Sequence, residues 1–136
     1  MKCIRLMDFL YVRGIPILPK AIQWFIRVIC SADIPVGIKI GKNSVLKHNG
    51  LGVVIHENAL IGENVIIMQH VTLGGRNGRG APVIKNNVFI GAGASVLGDI
   101  TVGESAMVGA HAVVIKDVPK GVTVGGVPAK ILKKIE

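Results

Sequence analysis

Few side chains in this sequence could do chemistry. Among 136 residues there are four histidines, two cysteines and eight acidic residues. An imidazole beside a carboxylate can serve as a general base, because the carboxylate fixes the tautomer and stabilises the protonated ring. His48 and Asp33 are the candidates for such a pair, provided the fold brings them to one place. His70 follows Gln69 directly. It could contact an acceptor or stabilise an oxyanion, or simply sit exposed at a turn. His56 and His111 have no acidic neighbour and read as structural. The histidines are not spaced as a metal site, so no metal is expected. Cys3 and Cys30 have no histidine near them, which argues against a covalent acyl-cysteine route.

The elements that must position these groups come from a repeat. From residue 34 onward, apolar residues recur every six positions: Ile34, Ile40 and Leu46; then Ile55, Ile61, Ile67 and Leu73; then Ile84, Ile90, Val96, Val102, Val108 and Val114. Four positions after the lead residue the side chain is usually small or apolar, as at Ser44, Ala59, Val65, Val71, Ala94, Ala106 and Ala112. Glycine often follows the lead directly. Hexapeptide periods of this kind predict a parallel β-helix. Three such faces make a triangular coil of about 18 residues, and coils stack at roughly 4.8 Å. The narrow interior suits Ile, Val and Leu but not rings, and only 4% of the residues are aromatic while 50% are hydrophobic. Eighteen glycines argue against a helical bundle, and the hydrophobic content argues against disorder.

The phase breaks twice. Three extra residues enter between Leu46 and Ile55, near His48-Asn49-Gly50-Leu51-Gly52, and five enter between Leu73 and Ile84. Insertions in a solenoid become flank loops, which often carry function. With faces A, B and C beginning at Ile34, Ile40 and Leu46, His48 falls at the corner leaving face C. Asp33 falls at the same corner one coil lower. Gln69, Ala92 and Ala110 then stack above His48. Two alanines would leave a groove along the axis that suits a long thin ligand such as the pantetheine arm of coenzyme A. Its phosphates would be met by Lys116, Lys120, Lys130, Lys133 and Lys134.

The net charge of +8 admits an anionic partner. Nucleic acid is disfavoured because interleaved exposed aromatics are not expected. Residues 2–30 read as two short helices separated around Pro16 and Pro19. In the second, Ile22, Phe25, Ile26 and Ile29 make one face and Lys20, Gln23 and Arg27 the other. That face is expected to pack on the protein itself, with peripheral membrane contact as the alternative. The opening residues do not read as a signal peptide and no spanning helix is expected. Two cysteines without a disulfide pattern fit a cytoplasmic setting, extending to the inner face of the membrane. The division expected is a helical cap over 1–32 and a β-helix domain with a C-terminal tail over 33–136.

Asp33-Ile34-Pro35, His48 with Gly52-Val53-Val54-Ile55, Gln69-His70-Val71-Thr72-Leu73-Gly74-Gly75, Ile90-Gly91-Ala92-Gly93-Ala94 and Gly126-Val127-Pro128-Ala129 together resemble the hexapeptide-repeat acyltransferases. The similarity is greatest to the serine acetyltransferase branch and its short relatives that O-acetylate capsular or exopolysaccharide sugars. It covers roughly residues 30–131. The resemblance implies an all-β, left-handed β-helix with a short N-terminal helical segment, acetyl-CoA as donor, and His48 as base oriented by Asp33. It implies donor contacts at Ala92 and Ala110, to which Gly74, Gly75, Lys116 and Lys130 are added as candidates. Gln69 and His70 at the corner, and Arg76 and Arg79 in the second insertion, are the candidate acceptor contacts, the arginines being available to acidic sugars. The resemblance also implies a homotrimer with each site between two subunits.

Several positions depart from the serine-specific pattern. Lys47 stands where that branch has an acidic residue. Gly80 and Ala81 stand where it has an Arg-His pair. Only 32 residues precede Asp33, so the acidic residue that a large helical domain supplies to serine is not among them. On these grounds a saccharide hydroxyl is expected as the acceptor, with free serine as the alternative. A non-catalytic anion-binding scaffold is disfavoured by the intact Asp33–His48 pair.

Overall fold

The structure, a computed structural model, describes residues 2–15, 17–78 and 80–135. It begins with a helical hairpin, α1 (Lys2–Val12) and α2 (Ile17–Cys30). A parallel solenoid of about four turns follows. Its strands are mostly two or three residues long, and they distribute over three faces in rotation. Face A stacks Ile55, Leu73, Val96 and Val114 in register. Face B stacks Ile40, Ile61, Ile84 and Val102. Face C stacks Leu46, Ile67, Ile90, Val108 and Val124. Each lead residue of the sequence repeat thus occupies the face that its phase predicts.

The registers hold because each six-residue face turns two side chains inward. One is the lead residue. The other precedes it by two, and Val53, Ala59, Val65, Val71, Val88, Ala94, Ala106 and Ala112 are all fully buried there. Burying one Val, Leu or Ile contributes about 1.5–3 kcal/mol, so a one-residue slip would expose a whole column. Among the described residues, Ser44 is the one polar residue at an inner position. Its hydroxyl donates to the Gly62 carbonyl at 2.7 Å and accepts from the Val65 amide at 2.9 Å. At the corner between faces B and C the chain turns through left-handed residues Asn43, Asn64, Asn87 and Ser105. Asn64 donates from its amide to Asn87 Oδ1 at 3.2 Å, tying neighbouring coils.

The repeat runs further than its sequence period shows. Val118 bridges to Val102 on face B, and Val122–Gly125 adds another strand to face C. The spacing falls from six to four between Val114 and Val118, which hides both from a six-residue scan. Lys130–Lys134 folds back antiparallel along Val122–Gly125 and becomes the edge strand of that sheet.

The hairpin also departs from expectation. In α2, Ile26 is buried and Ile22 partly so, whereas Phe25 and Ile29 face solvent. Gln23, assigned to the polar face, points inward and donates to the Ile34 carbonyl at 3.1 Å. A helix apolar nearly all round gives no sequence signal for which stripe docks. The acceptors at the solenoid's open lower end decide it.

Glycines directly after lead residues mark where coils come closest. A Cβ on Gly103 would lie 2.6 Å from the Lys120 amide nitrogen. The Gly103 amide is itself bonded to the Val118 carbonyl at 2.8 Å, so neither backbone can yield without breaking the ladder. Gly103→Ala is therefore expected to destabilise the fold by about 1–3 kcal/mol or more in denaturant titration, the cost of overpacking. An unchanged midpoint would contradict this close stacking.

Candidate active site

His48 owes its position to the first phase break. After Leu46 the chain enters a tight turn at Lys47–Gly50. His48, Asn49 and Gly50 are all left-handed, with φ of 50°, 56° and 75°. For an ordinary residue that conformation costs about 1–2 kcal/mol, less for Asn and His. The turn closes through Leu51 N to His48 O (3.1 Å) and Val53 N to Gly50 O (2.9 Å). The solenoid resumes where the Gly52 amide reaches the Cys30 carbonyl at 3.0 Å. His48 is thereby carried out of the coil and left exposed.

The backbone ladder fixes what stacks at this corner. His70 N bonds to Leu51 O, Gly93 N to Gln69 O, and His111 N to Ala92 O, at 2.8, 3.0 and 2.8 Å. The column beneath Ala110 is therefore Ala92, Gln69 and Leu51. Leu51, not His48, lies directly under Gln69, because the three inserted residues fall before the coil resumes. His48 stands beside the foot of the column. Ala92 is half-buried and Ala110 exposed, so the column does narrow to small side chains. Gln69 Oε1 is buried with no hydrogen-bond partner. A buried acceptor left unpaired costs about 1–3 kcal/mol, and a ligand N–H would satisfy it.

A second column beside the first alternates Gly52, His70, Gly93 and His111, all left-handed. A Cβ on Gly52 would collide with His70 Nδ1, and one on Gly93 with the His111 ring. Each glycine makes room for the imidazole above it. His70 is thus folded against the corner next to the His48 turn, and His111 fits its structural reading. His56 Nδ1 accepts from the Asn58 amide at 3.1 Å and organises a turn elsewhere.

Asp33 pairs through its backbone with face A: its amide donates to Val53 O, and its carbonyl accepts from Ile55 N, both at 2.9 Å. Its carboxylate lies 3.8 Å from the Arg27 guanidinium. Among the described residues no hydrogen bond or ion pair joins it to His48. The expected dyad shares a corner but is not closed: the left-handed turn takes His48 outward while the end of α2 holds Asp33. An exposed pair such as Arg27–Asp33 is weak, and exchange of partner costs little.

Other expected site residues lie elsewhere. Gly74, Gly75 and Arg76 begin the second insertion, at the corner between faces A and B, where Gly98 N bonds to Gly74 O at 2.9 Å. Lys116 follows Val114 at that same corner, so it is not beside the alanine column. Arg76 lines a small cavity of about 220 Å³ there with Asn77, Gly98 and Asp99. Arg79 lies outside the described residues. Lys120 and Lys134 line a hollow beside Glu104 and Ser105. Only Lys130, after the turn Gly126–Ala129 that covers Val113, stands at the head of the column. A hollow of about 860 Å³ is on neither corner; it lies between α1 and face B.

A family model for the bacterial transferase hexapeptide (six repeats) matches residues 81–116. A serine acetyltransferase of Helicobacter pylori (strain J99) is 42% identical over 135 residues, spanning 97% of this chain and 78% of the relative. The chain belongs to the hexapeptide-repeat transferases, in their serine acetyltransferase branch. The serine acetyltransferase of Synechococcus elongatus is 39% identical over 96% of this chain and 54% of its own length. The crystal structure of serine acetyltransferase from Brucella abortus strain S19 in complex with coenzyme A superposes with a TM-score of 0.92. It is 36% identical, over 99% of this chain and 55% of that one. The chain spans about half the length of most such relatives. The fold is a left-handed β-helix with a short N-terminal helical segment. The expected saccharide acceptor is corrected: the relatives matched over nearly the whole chain are serine acetyltransferases, which supports the alternative.

Two substitutions probe this corner. His48→Asn keeps a residue that tolerates the left-handed turn but removes the imidazole. Acetyl transfer should fall by roughly 100- to 10,000-fold while the melting temperature holds. Ala110→Trp should leave the fold intact and weaken acetyl-CoA binding sharply by calorimetry. Parental affinity in that folded variant would refute the groove.

Proposed function

We propose that this chain is the catalytic solenoid of an acetyl-CoA-dependent serine O-acetyltransferase. The observation that carries this reading is the 42% identity, over 97% of the chain, to a serine acetyltransferase. The small-residue column that ends beside an exposed histidine supports it. Acetyl-CoA would lie along Ala92 and Ala110, with Gln69 Oε1 accepting from an amide of its arm and Lys130 near its phosphates. A relative of the same fold binds coenzyme A, which accords with that placement.

In this mechanism His48 removes the proton of the serine hydroxyl as its oxygen attacks the thioester carbonyl. The C–S bond then breaks, and His48 returns the proton to the departing sulfur. Asp33, released from Arg27, stabilises the imidazolium. No metal enters these steps. Serine also needs its carboxylate and ammonium paired. Ala81 is buried and cannot reach a ligand. Lys47 is exposed and adjoins His48, and it is our candidate for the carboxylate.

A homotrimer would complete the site. Gly74, Gly75, Arg76 and Lys116 sit at one corner of the prism, and His48, Gln69, His70, Ala92 and Ala110 at another. Only a neighbouring subunit can bring the two sets together. Sedimentation should therefore give a trimer, and a stable active monomer would contradict it.

Steady-state assay with L-serine is expected to give serine-dependent release of free thiol and O-acetylserine by mass spectrometry. Lys47→Ala should raise KM for serine by about tenfold or more, the worth of one charge-assisted bond, with kcat little changed. Thiol release indifferent to millimolar serine would overturn the serine reading.

A further inference from the structure

The helical hairpin carries a feature that acetyl transfer does not use. Four of the chain's five aromatic side chains, Phe9, Tyr11, Trp24 and Phe25, fall within it, and all four are more than half exposed. The solenoid retains only Phe89. α2 is apolar on two opposite sides. Pro19 and Ile26 are buried against the rest of the protein. On the far side Leu18, Trp24, Phe25, Val28 and Ile29 are 49–67% exposed. At 100° per residue they fill a continuous arc of roughly 140°. A stripe of this width is normally covered.

The hairpin's own charges are nearly all of one sign, and the acid at the border of the stripe beyond its end is Asp33, its side chain 43% exposed and paired with Arg27 at 3.8 Å. Lys2, Arg5, Arg13, Lys20 and Arg27 are basic, and Asp8 is the single acid of the hairpin. Asp8 is turned inward: it accepts from the Gly37 amide at 3.2 Å, and burial raises its pKa despite that bond and the nearby Arg5. Lys20 and Arg27 lie together along one border of the stripe. Arg13 rests 4.1 Å over the Phe9 ring on α1. Aromatic and aliphatic side chains bordered by cations match the boundary between acyl chains and anionic headgroups. Among the described residues no helix is long and apolar enough to cross a membrane, so the contact would be peripheral.

We propose that the outer face of α2 docks on an anionic phospholipid bilayer, with Trp24, Phe25, Val28 and Ile29 inserted at the headgroup boundary and Lys20 and Arg27 on lipid phosphates. The chain's single tryptophan, Trp24, reports this directly. The full chain is mixed with vesicles of phosphatidylcholine alone, or with about one third phosphatidylglycerol. Partition should favour the anionic vesicles by at least about tenfold, weaken with added salt, and shift Trp24 emission to the blue. The outward variants Lys20→Glu and Phe25→Ser/Val28→Ser should each reduce sedimentation with vesicles about tenfold without lowering the melting temperature. Equal partition to both vesicle types, or none by the folded parent, overturns the proposal. So does dissociation of the chain's own oligomer by Phe25→Ser/Val28→Ser, which would show that a second copy covers the stripe.

Discussion

The fold depends on one constraint: each coil must repeat the last closely enough for parallel hydrogen bonds to form all round a narrow interior. Ile61 over Ile40, Ile84 over Ile61 and Val102 over Ile84 are consequences of that constraint. So are the buried alanines and valines two residues earlier, and the glycines where backbones nearly touch. A side chain larger than Leu has no place inside. The protein therefore cannot build a site in its core, and chemistry is pushed to the corners.

At a corner the ladder itself supplies the precision. The carbonyls of Leu51, Gln69 and Ala92 are fixed by the amides of the next coil, so the side chains above one another are set without any further device. A break in phase is the one way to move a residue off that lattice. The three-residue excursion does this for His48, holding it outside the coil by three left-handed residues while Gly52 restores the register. The same logic explains why Gly52 and Gly93 lie beneath His70 and His111: a ring can fold onto the corner only where the coil below lacks a Cβ.

Much of this was legible beforehand, since a six-residue period leaves little freedom. The faces of all thirteen lead residues, the two insertions and the column Gln69–Ala92–Ala110 follow from spacing alone. The top of the solenoid did not, because a shortened turn before Val118 breaks the count. Nor did Leu51 at the foot of the column, since an insertion can be counted from either side. The partner of Asp33 was hidden too, because Arg27 comes from a helix whose docked face the apolar pattern leaves undecided. The acceptor was misjudged from Lys47, Gly80 and Ala81. The groups missing there bear on how serine would be held; they do not exclude it as the acceptor.

The central claim is that the corner column guides a thioester to His48. A crystal structure of this chain with coenzyme A bound tests it most directly. The account predicts the pantetheine arm along Ala92 and Ala110, an arm amide on Gln69 Oε1, and the sulfur within about 4 Å of the His48 ring, the reach of a proton transfer once the acceptor is in place. An arm lying against face B, or along the α1 hollow far from His48, would contradict it.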